Sequence, residues 1–187
     1  TPFSNEALVR VTAISLNRGE LGRAQRTADG TLQIGWDFVG TVDTPAADGT
    51  GPVAGIRVVG FSTRMEGWAE LVAVPTPYIA PIPDGVSDAQ AATLPVAGLT
   101  ALHSVDAATS LLGRHALITG ATGGVGMFAV QLAALSGATA FAQIRRAEQK
   151  PFIESLGEHP MIVTEDGREF SKQEGFRLII DGVSGAI

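Results

Sequence analysis

Three glycines spaced three residues apart, Gly120, Gly123 and Gly126, punctuate the stretch LITGATGGVG between a short apolar run and a longer apolar one. A loop that binds phosphate between a buried strand and a helix needs glycine at such positions. The main chain must turn tightly, approach a diphosphate with no Cβ in the way, and pack the new helix onto the sheet. Thr122, Gly124 and Val125 lie in the same turn, where a helix opening near Gly124 offers free N–H groups and the positive end of its dipole. The strand and the helix are both legible in the sequence, as a bare glycine pattern requires before it carries weight. The plain alternative is a glycine-rich turn that binds nothing.

About 20 residues beyond such a loop, an acidic residue holds a ribose hydroxyl of NAD, whereas arginine suits the 2′-phosphate of NADP. The second apolar run ends in QIRRAEQ, which puts Arg145 and Arg146 at that place. Planar guanidinium groups match a phosphate, so the spacing points to NADPH. A solvated arginine pair at a strand end is the competing reading.

These residues must be held by elements, and the chain has two textures. Up to about residue 86 it is rich in Gly, Pro and Thr, with short β-branched runs. ALVRVTAIS sets Leu8, Arg10 and Thr12 against Val9, Val11 and Ala13, and FVGTV, RVVGF and GWAELVAV follow between turn residues. This predicts a β-rich domain over residues 1–86, a small barrel or sandwich. Over residues 87–187 strands and helices alternate. Ser87 and Asp88 can cap a helix running through AQAATLPVAGLTALHSV, which Pro95 kinks or divides. HALIT, VGMFAVQLAAL, TAFAQI, a helical turn in EQKPFIESL, MIV and RLIID then give the order of a doubly wound parallel sheet. The fold class expected is α/β plus β.

Composition narrows the chemistry. The chain has 187 residues, 45% of them hydrophobic and 17% charged, with a net charge of -6. Its 13 Lys and Arg are scattered, against a nucleic-acid surface. No stretch reaches the roughly 18 apolar residues of a membrane span, and no charged-then-apolar leader is expected. A cytoplasmic protein is expected. Cysteine is absent, which removes disulfides and thiolate metal sites. His103, His115 and His159 are dispersed, so no metal site is expected.

A second template, T-G-x-x-x-G-x-G from Thr119 to Gly126, is that of short-chain dehydrogenases, whose loop lies near the N-terminus with a catalytic Tyr-x-x-x-Lys downstream. Here the only tyrosine, Tyr78, precedes the loop. As a whole the chain resembles the medium-chain dehydrogenase/reductase superfamily, in its zinc-independent quinone oxidoreductase and enoyl reductase branch. VRVTAISLNRGEL, GWDFVGTV, RVVGF with GWAELVAVP, AATLPVAGLTALHSV and LITGATGGVGMFAVQLA carry the resemblance, in the family's order and over nearly the whole chain. It implies a GroES-like β-barrel domain, then a Rossmann domain, with the cofactor in the cleft between them. The implied reaction is NADPH-dependent hydride transfer to a quinone or an α,β-unsaturated carbonyl, where donors stabilise the developing oxyanion.

The same resemblance singles out Asn17, beside the nicotinamide and substrate in relatives, as a catalytic candidate. Its amide can donate to a carbonyl or fix the ring; capping a turn after the first strand is the alternative. Glu20 matches a position that is often acidic. Thr100 matches a position facing the nicotinamide or phosphates, against a hydroxyl bonded back to its own helix. Val183, in DGVSG after the fourth strand, can touch the nicotinamide or sit in an ordinary turn. Relatives carry a tyrosine a few residues after the asparagine, where this chain has Gly22, so no tyrosine proton donor transfers. The rival to an enzyme is a non-catalytic relative that keeps the nucleotide site as a binding module. A small-molecule quinone or enone is the partner expected, and a homodimer is the assembly considered. The chain ends just after its fourth strand against six in a full fold, so a sheet cut short is expected.

Overall fold

The structure is a computed structural model that describes residues 2–26, 33–165 and 175–183. The chain divides into two compact units, residues 1–96 and 97–187. Among the described residues no helix is long and apolar enough to cross a membrane.

In the first unit the strands β1 (Glu6–Ile14), β2 (Asp37–Thr44), β3 (Arg57–Phe61), β4 (Leu71–Pro75) and β5 (Ile79–Pro81) form an antiparallel sheet of order β4-β1-β2-β3-β5. The pairing of β1 with β2 shifts register between Leu8 and Val9 and again between Val11 and Ala13. Such irregularities bend and twist a strand, which lets a sheet curl. Val9, Phe38, Val42, Val58, Val72 and Val74 form one core cluster. Each such side chain contributes about 1.5–3 kcal/mol when fully buried.

The helix α2 (Asp88–Ala92) packs Ala91 and Ala92 against Val39 and Ile82 in a second cluster. Ser87 and Gln90 make the capping box, and Asp88 receives the hydroxyl of Thr12 at 2.6 Å and the guanidinium of Arg57 at 2.5 Å. One carboxylate thus ties the helix to β1 and β3, and the first unit reaches past the change of texture at residue 86. Pro95 lies in a π-helical turn, Leu94–Gly98, that divides α2 from α3 (Leu99–Asp106). A proline interrupts the helical bonding as its missing N–H requires.

Three features of this unit depart from the expected pattern. A helix, α1 (Arg18–Arg26), follows β1, and β5 is a three-residue edge strand. The GWAELVAV strand begins only at Leu71, because Gly67 and Trp68 donate their N–H groups to Gly35 and Ile34 instead of a ladder.

The second unit is a parallel sheet of β6 (His115–Thr119), β7 (Thr139–Ile144), β8 (Met161–Val163) and β9 (Phe176–Asp181), in the order β8-β7-β6-β9. The helices are α3, α4 (Gly124–Leu135) and α5 (Lys150–Glu154). Ala101 and Val105 of α3, Ala129, Val130 and Ala133 of α4, and Ile118, Ile144, Ile153 and Ile180 share one core. Numbered by appearance within this unit, the strands run 3-2-1-4, the first two thirds of the Rossmann order. Between β6 and β9 the direction of winding reverses.

Candidate functional site

That reversal matters because ligands of open α/β sheets bind outside the carboxyl ends of the strands at the switch point. The glycine loop leaves β6 there, and the turn after β9 lies beside it. Thr119, 2% exposed, donates its hydroxyl to Asp181 Oδ1 at 2.6 Å and accepts the Gly182 N–H at 3.0 Å. Val183 N–H also ends on Asp181 Oδ1, at 3.1 Å. The two loop origins are thereby locked together.

Gly120 has φ +60°, a left-handed conformation that L side chains rarely adopt, and a methyl group there would lie 3.1 Å from Val183 Cγ2. A methyl at Gly126 would lie 2.3 Å from the Gly120 carbonyl oxygen and 2.8 Å from Ala121 Cα, so the first turn of α4 can pack this closely only as glycine.

The loop's donors are divided between holding its shape and facing outward. Gly120 N–H donates to Gln143 Oε1 at 2.9 Å, Ala121 N–H to Gln143 O at 3.1 Å, and Gly123 N–H to Gly120 O at 2.8 Å. Gln143, 3% exposed, anchors its own amide by donating to Thr164 O at 2.8 Å. Helix α4 starts from Gly123 with no side-chain cap, and Met127 is the first to bond back, to Gly123 O. Among the described residues the N–H groups of Thr122, Gly124, Val125 and Gly126 have no acceptor. An uncapped helix start with unspent N–H groups is suited to an anion. These residues therefore fit a dinucleotide's diphosphate: the cradle is one a Cβ would fill, and its donors are unspent.

Arg145 and Arg146 are exposed where β7 ends, and among the described residues neither guanidinium has an acidic partner. Their main-chain N–H groups both donate to Gln149 Oε1, at 3.0 and 3.1 Å, and Gln149 Nε2 donates to Thr122 Oγ1 at 3.0 Å. Thr100 is exposed on α3; its carbonyl accepts from Ser104 Oγ at 2.7 Å, while its own hydroxyl has no partner among the described residues. The back-bonded hydroxyl in that helix is the serine's. Val183 is described; Ser184 and Gly185 of the same motif lie outside the described residues.

In the first unit Asn17 precedes α1 and Glu20 is three residues on, the spacing that lets a glutamate satisfy the N–H at a helix start. Asn17 N–H donates to Glu20 Oε2 at 2.7 Å, and Asn17 Nδ2 donates to Glu20 Oε2 at 3.2 Å and to Asp37 Oδ2 at 2.7 Å. Glu20 Oε1 takes the Trp36 N–H at 2.5 Å, and Asp37 Oδ1 takes the Val96 N–H at 2.9 Å. Both carboxylates are 0% exposed. Burial pushes the Asp37 carboxyl above its ordinary value; the bonds from Asn17 and Val96 oppose this, and the nearby charge of Glu20 adds to it. With both Nδ2 hydrogens spent on carboxylates, the open atom of the Asn17 amide is the acceptor Oδ1.

Asp37 escaped sequence reasoning although it lies in GWDFVGTV, because a lone aspartate at a strand start carries no spacing signal. Gln143, Gln149 and Asp181 escaped for the same reason. His103, His115 and His159 stand in separate places: in α3, at the start of β6 with its ring 5.2 Å from that of Phe141, and just before β8. Among the described residues no group of three or more His, Cys, Asp or Glu could hold a metal ion.

No family model matches the chain. It is 32% identical, over 99% of its own length, to a mycocerosic acid synthase-like polyketide synthase of Mycobacterium tuberculosis (strain ATCC 25618 / H37Rv), of which it spans only 9%. Among solved structures it is similar to the CurK enoyl reductase, with TM-score 0.85 and 26% identity over 99% of this chain and 61% of that one. The quinone oxidoreductase from Coxiella burnetii is also similar, with TM-score 0.75 and 27% identity over 93% of this chain and 56% of that one. The chain thus spans less than two thirds of the length of each of these three proteins.

Proposed function

Because the chain belongs to the medium-chain dehydrogenase/reductase superfamily, beside its quinone oxidoreductases and enoyl reductases, we propose that it is an NADPH-dependent oxidoreductase acting on an α,β-unsaturated carbonyl compound. The observation that carries this is the uncapped start of α4, closed against Gly120 so tightly that Gly126 admits no side chain, at the switch point of a parallel sheet. Such a cradle grips a diphosphate through main-chain N–H groups.

The residues divide the work. Gly124, Val125 and Gly126, with Thr122, would hold the diphosphate; Gly120 and Gly123 give the loop its shape; Arg145 and Arg146 would take the 2′-phosphate. Val183 and Thr100 would contact the nicotinamide end. When bound, NADPH supplies hydride to the electron-poor carbon of the acceptor. Asn17, gripped by Glu20 and Asp37, orients the reacting partners by accepting a hydrogen bond at Oδ1. An acceptor at that place suits an N–H or O–H donor, such as a carboxamide or a hydroxyl.

The unsaturated acceptor is favoured by the likeness to an enoyl reductase structure over 99% of the chain and to a segment of a polyketide synthase. The quinone oxidoreductase likeness supports a quinone as the second substrate class. Following the absorbance of NADPH with a panel of enoyl thioesters, enones and quinones tests both. Faster consumption with the enoyl compounds supports the first; consumption with quinones alone supports the second. Tight binding of NADPH with no turnover on any acceptor would mark a nucleotide-binding module without catalysis.

A further inference from the structure

Gln149 sits across the groups that this nucleotide reading needs. Its Oε1 receives two successive main-chain N–H groups, from Arg145 at 3.0 Å and Arg146 at 3.1 Å. Consecutive N–H groups converging on one oxygen form a concavity suited to an anion, and here a neutral amide oxygen fills it. The guanidinium groups of the same two residues are exposed with no acidic partner among the described residues. The other end of the amide donates to Thr122 Oγ1 in the glycine loop at 3.0 Å. One half-buried side chain therefore bridges the end of β7 and the loop after β6.

We propose that Gln149 is a specificity-determining residue of the dinucleotide site: its amide oxygen stands in for an oxygen of the ribose 2′-phosphate and must swing out before that phosphate can take the two N–H groups. The proposal rests on the reading of the glycine loop as a dinucleotide site. The exchange favours the phosphate, because hydrogen bonds to an ionised oxygen are roughly twice as strong as those to a neutral amide. A coenzyme with a 2′-hydroxyl gains no such charge-assisted pair. The amide that leaves also releases the Thr122 hydroxyl, so occupation of the 2′ position is linked to the loop that holds the diphosphate.

Calorimetric titration of NADPH and NADH into the chain, Gln149→Ala and Gln149→Glu provides the test. In Gln149→Ala both N–H groups are vacated at the outset, and NADPH binds several-fold tighter while NADH changes by less than about twofold. In Gln149→Glu a carboxylate holds the N–H groups and repels the phosphate, so NADPH weakens by about tenfold or more with NADH nearly unchanged. An NADPH-to-NADH affinity ratio equal in all three proteins overturns the role of Gln149 and leaves the loop reading standing. Failure of the unaltered chain to bind either coenzyme overturns the loop reading, and this inference with it.

Discussion

Asn17 Nδ2 lies 2.7 Å from Asp37 Oδ2 and 3.2 Å from Glu20 Oε2, so one amide group separates two carboxylates that solvent does not reach. Two buried carboxylates are costly neighbours, and hydrogen-bond donors are what make them tolerable. Trp36 and Val96 supply main-chain N–H groups to the outer oxygens, and Asn17 supplies its main-chain N–H and its amide to the inner ones. The arrangement fixes which way the Asn17 amide faces, since the opposite orientation would set Oδ1 against carboxylate oxygens.

Replacing Asn17 tests that account. Asn17→Ala removes the amide donor from both carboxylates and is expected to cost about 1–3 kcal/mol of stability. Asn17→Asp sets a third acid among two and is expected to cost more at neutral pH, with part of the loss recovered in acid as a proton is taken up. Urea unfolding of both variants checks the order; equal stability of Asn17→Asp and the unaltered chain contradicts it.

The raised Asp37 carboxyl carries a pH signature of definite sign. Between its ordinary value of 3.8 and its higher folded value, the native state binds more protons than the unfolded chain. Stability contributed by this group therefore falls as the pH rises through that window. Asp37→Asn removes the titration, although it also sets two amide donors face to face and lowers stability overall. The stability deficit of Asp37→Asn is expected to shrink as the pH rises through the window just above 3.8. A deficit that grows with pH contradicts the assignment.

Gln143 is the clamp of the glycine loop, and Gln143→Leu keeps its bulk while deleting both of its side-chain hydrogen bonds. Loss of the acceptor for Gly120 N–H is expected to lower stability by about 1–3 kcal/mol. NADPH affinity is expected to fall as well, because the donors of α4 are aimed by that turn. Thermal unfolding and a binding titration read the two effects separately; unchanged affinity would show that the clamp does not shape the site.

How much of this was legible in the sequence differs between the two units. The parallel sheet was readable strand by strand, because HALIT, TAFAQI, MIV and RLIID appear as short apolar runs between turn residues; the first two are largely buried, whereas Ile179 of RLIID is exposed. The glycine loop was readable because its demands are on the main chain, and glycine is how a sequence records them. Helix α1 was harder, since RGELGRAQR has little apolar face and its start rests on the single pair Asn17 and Glu20. The polar supports were not readable at all. Gln143, Gln149, Asp37 and Asp181 act through partners 20 or more residues away or through the geometry of a turn, and no local pattern announces them. The same limit applies to the arginine pair. Their place at the end of β7 was foreseeable, whereas the glutamine that occupies their N–H groups was not.

The account stands on main-chain N–H groups at the start of α4 gripping a dinucleotide. Amide-resolved NMR titration of the chain with NADPH tests this most directly. Saturable shifts centred on Gly124, Val125 and Gly126 are expected, and they should vanish in Gly126→Ala, whose methyl would meet the Gly120 carbonyl oxygen at 2.3 Å. Shifts confined to other regions, or none at any concentration of NADPH, would contradict it.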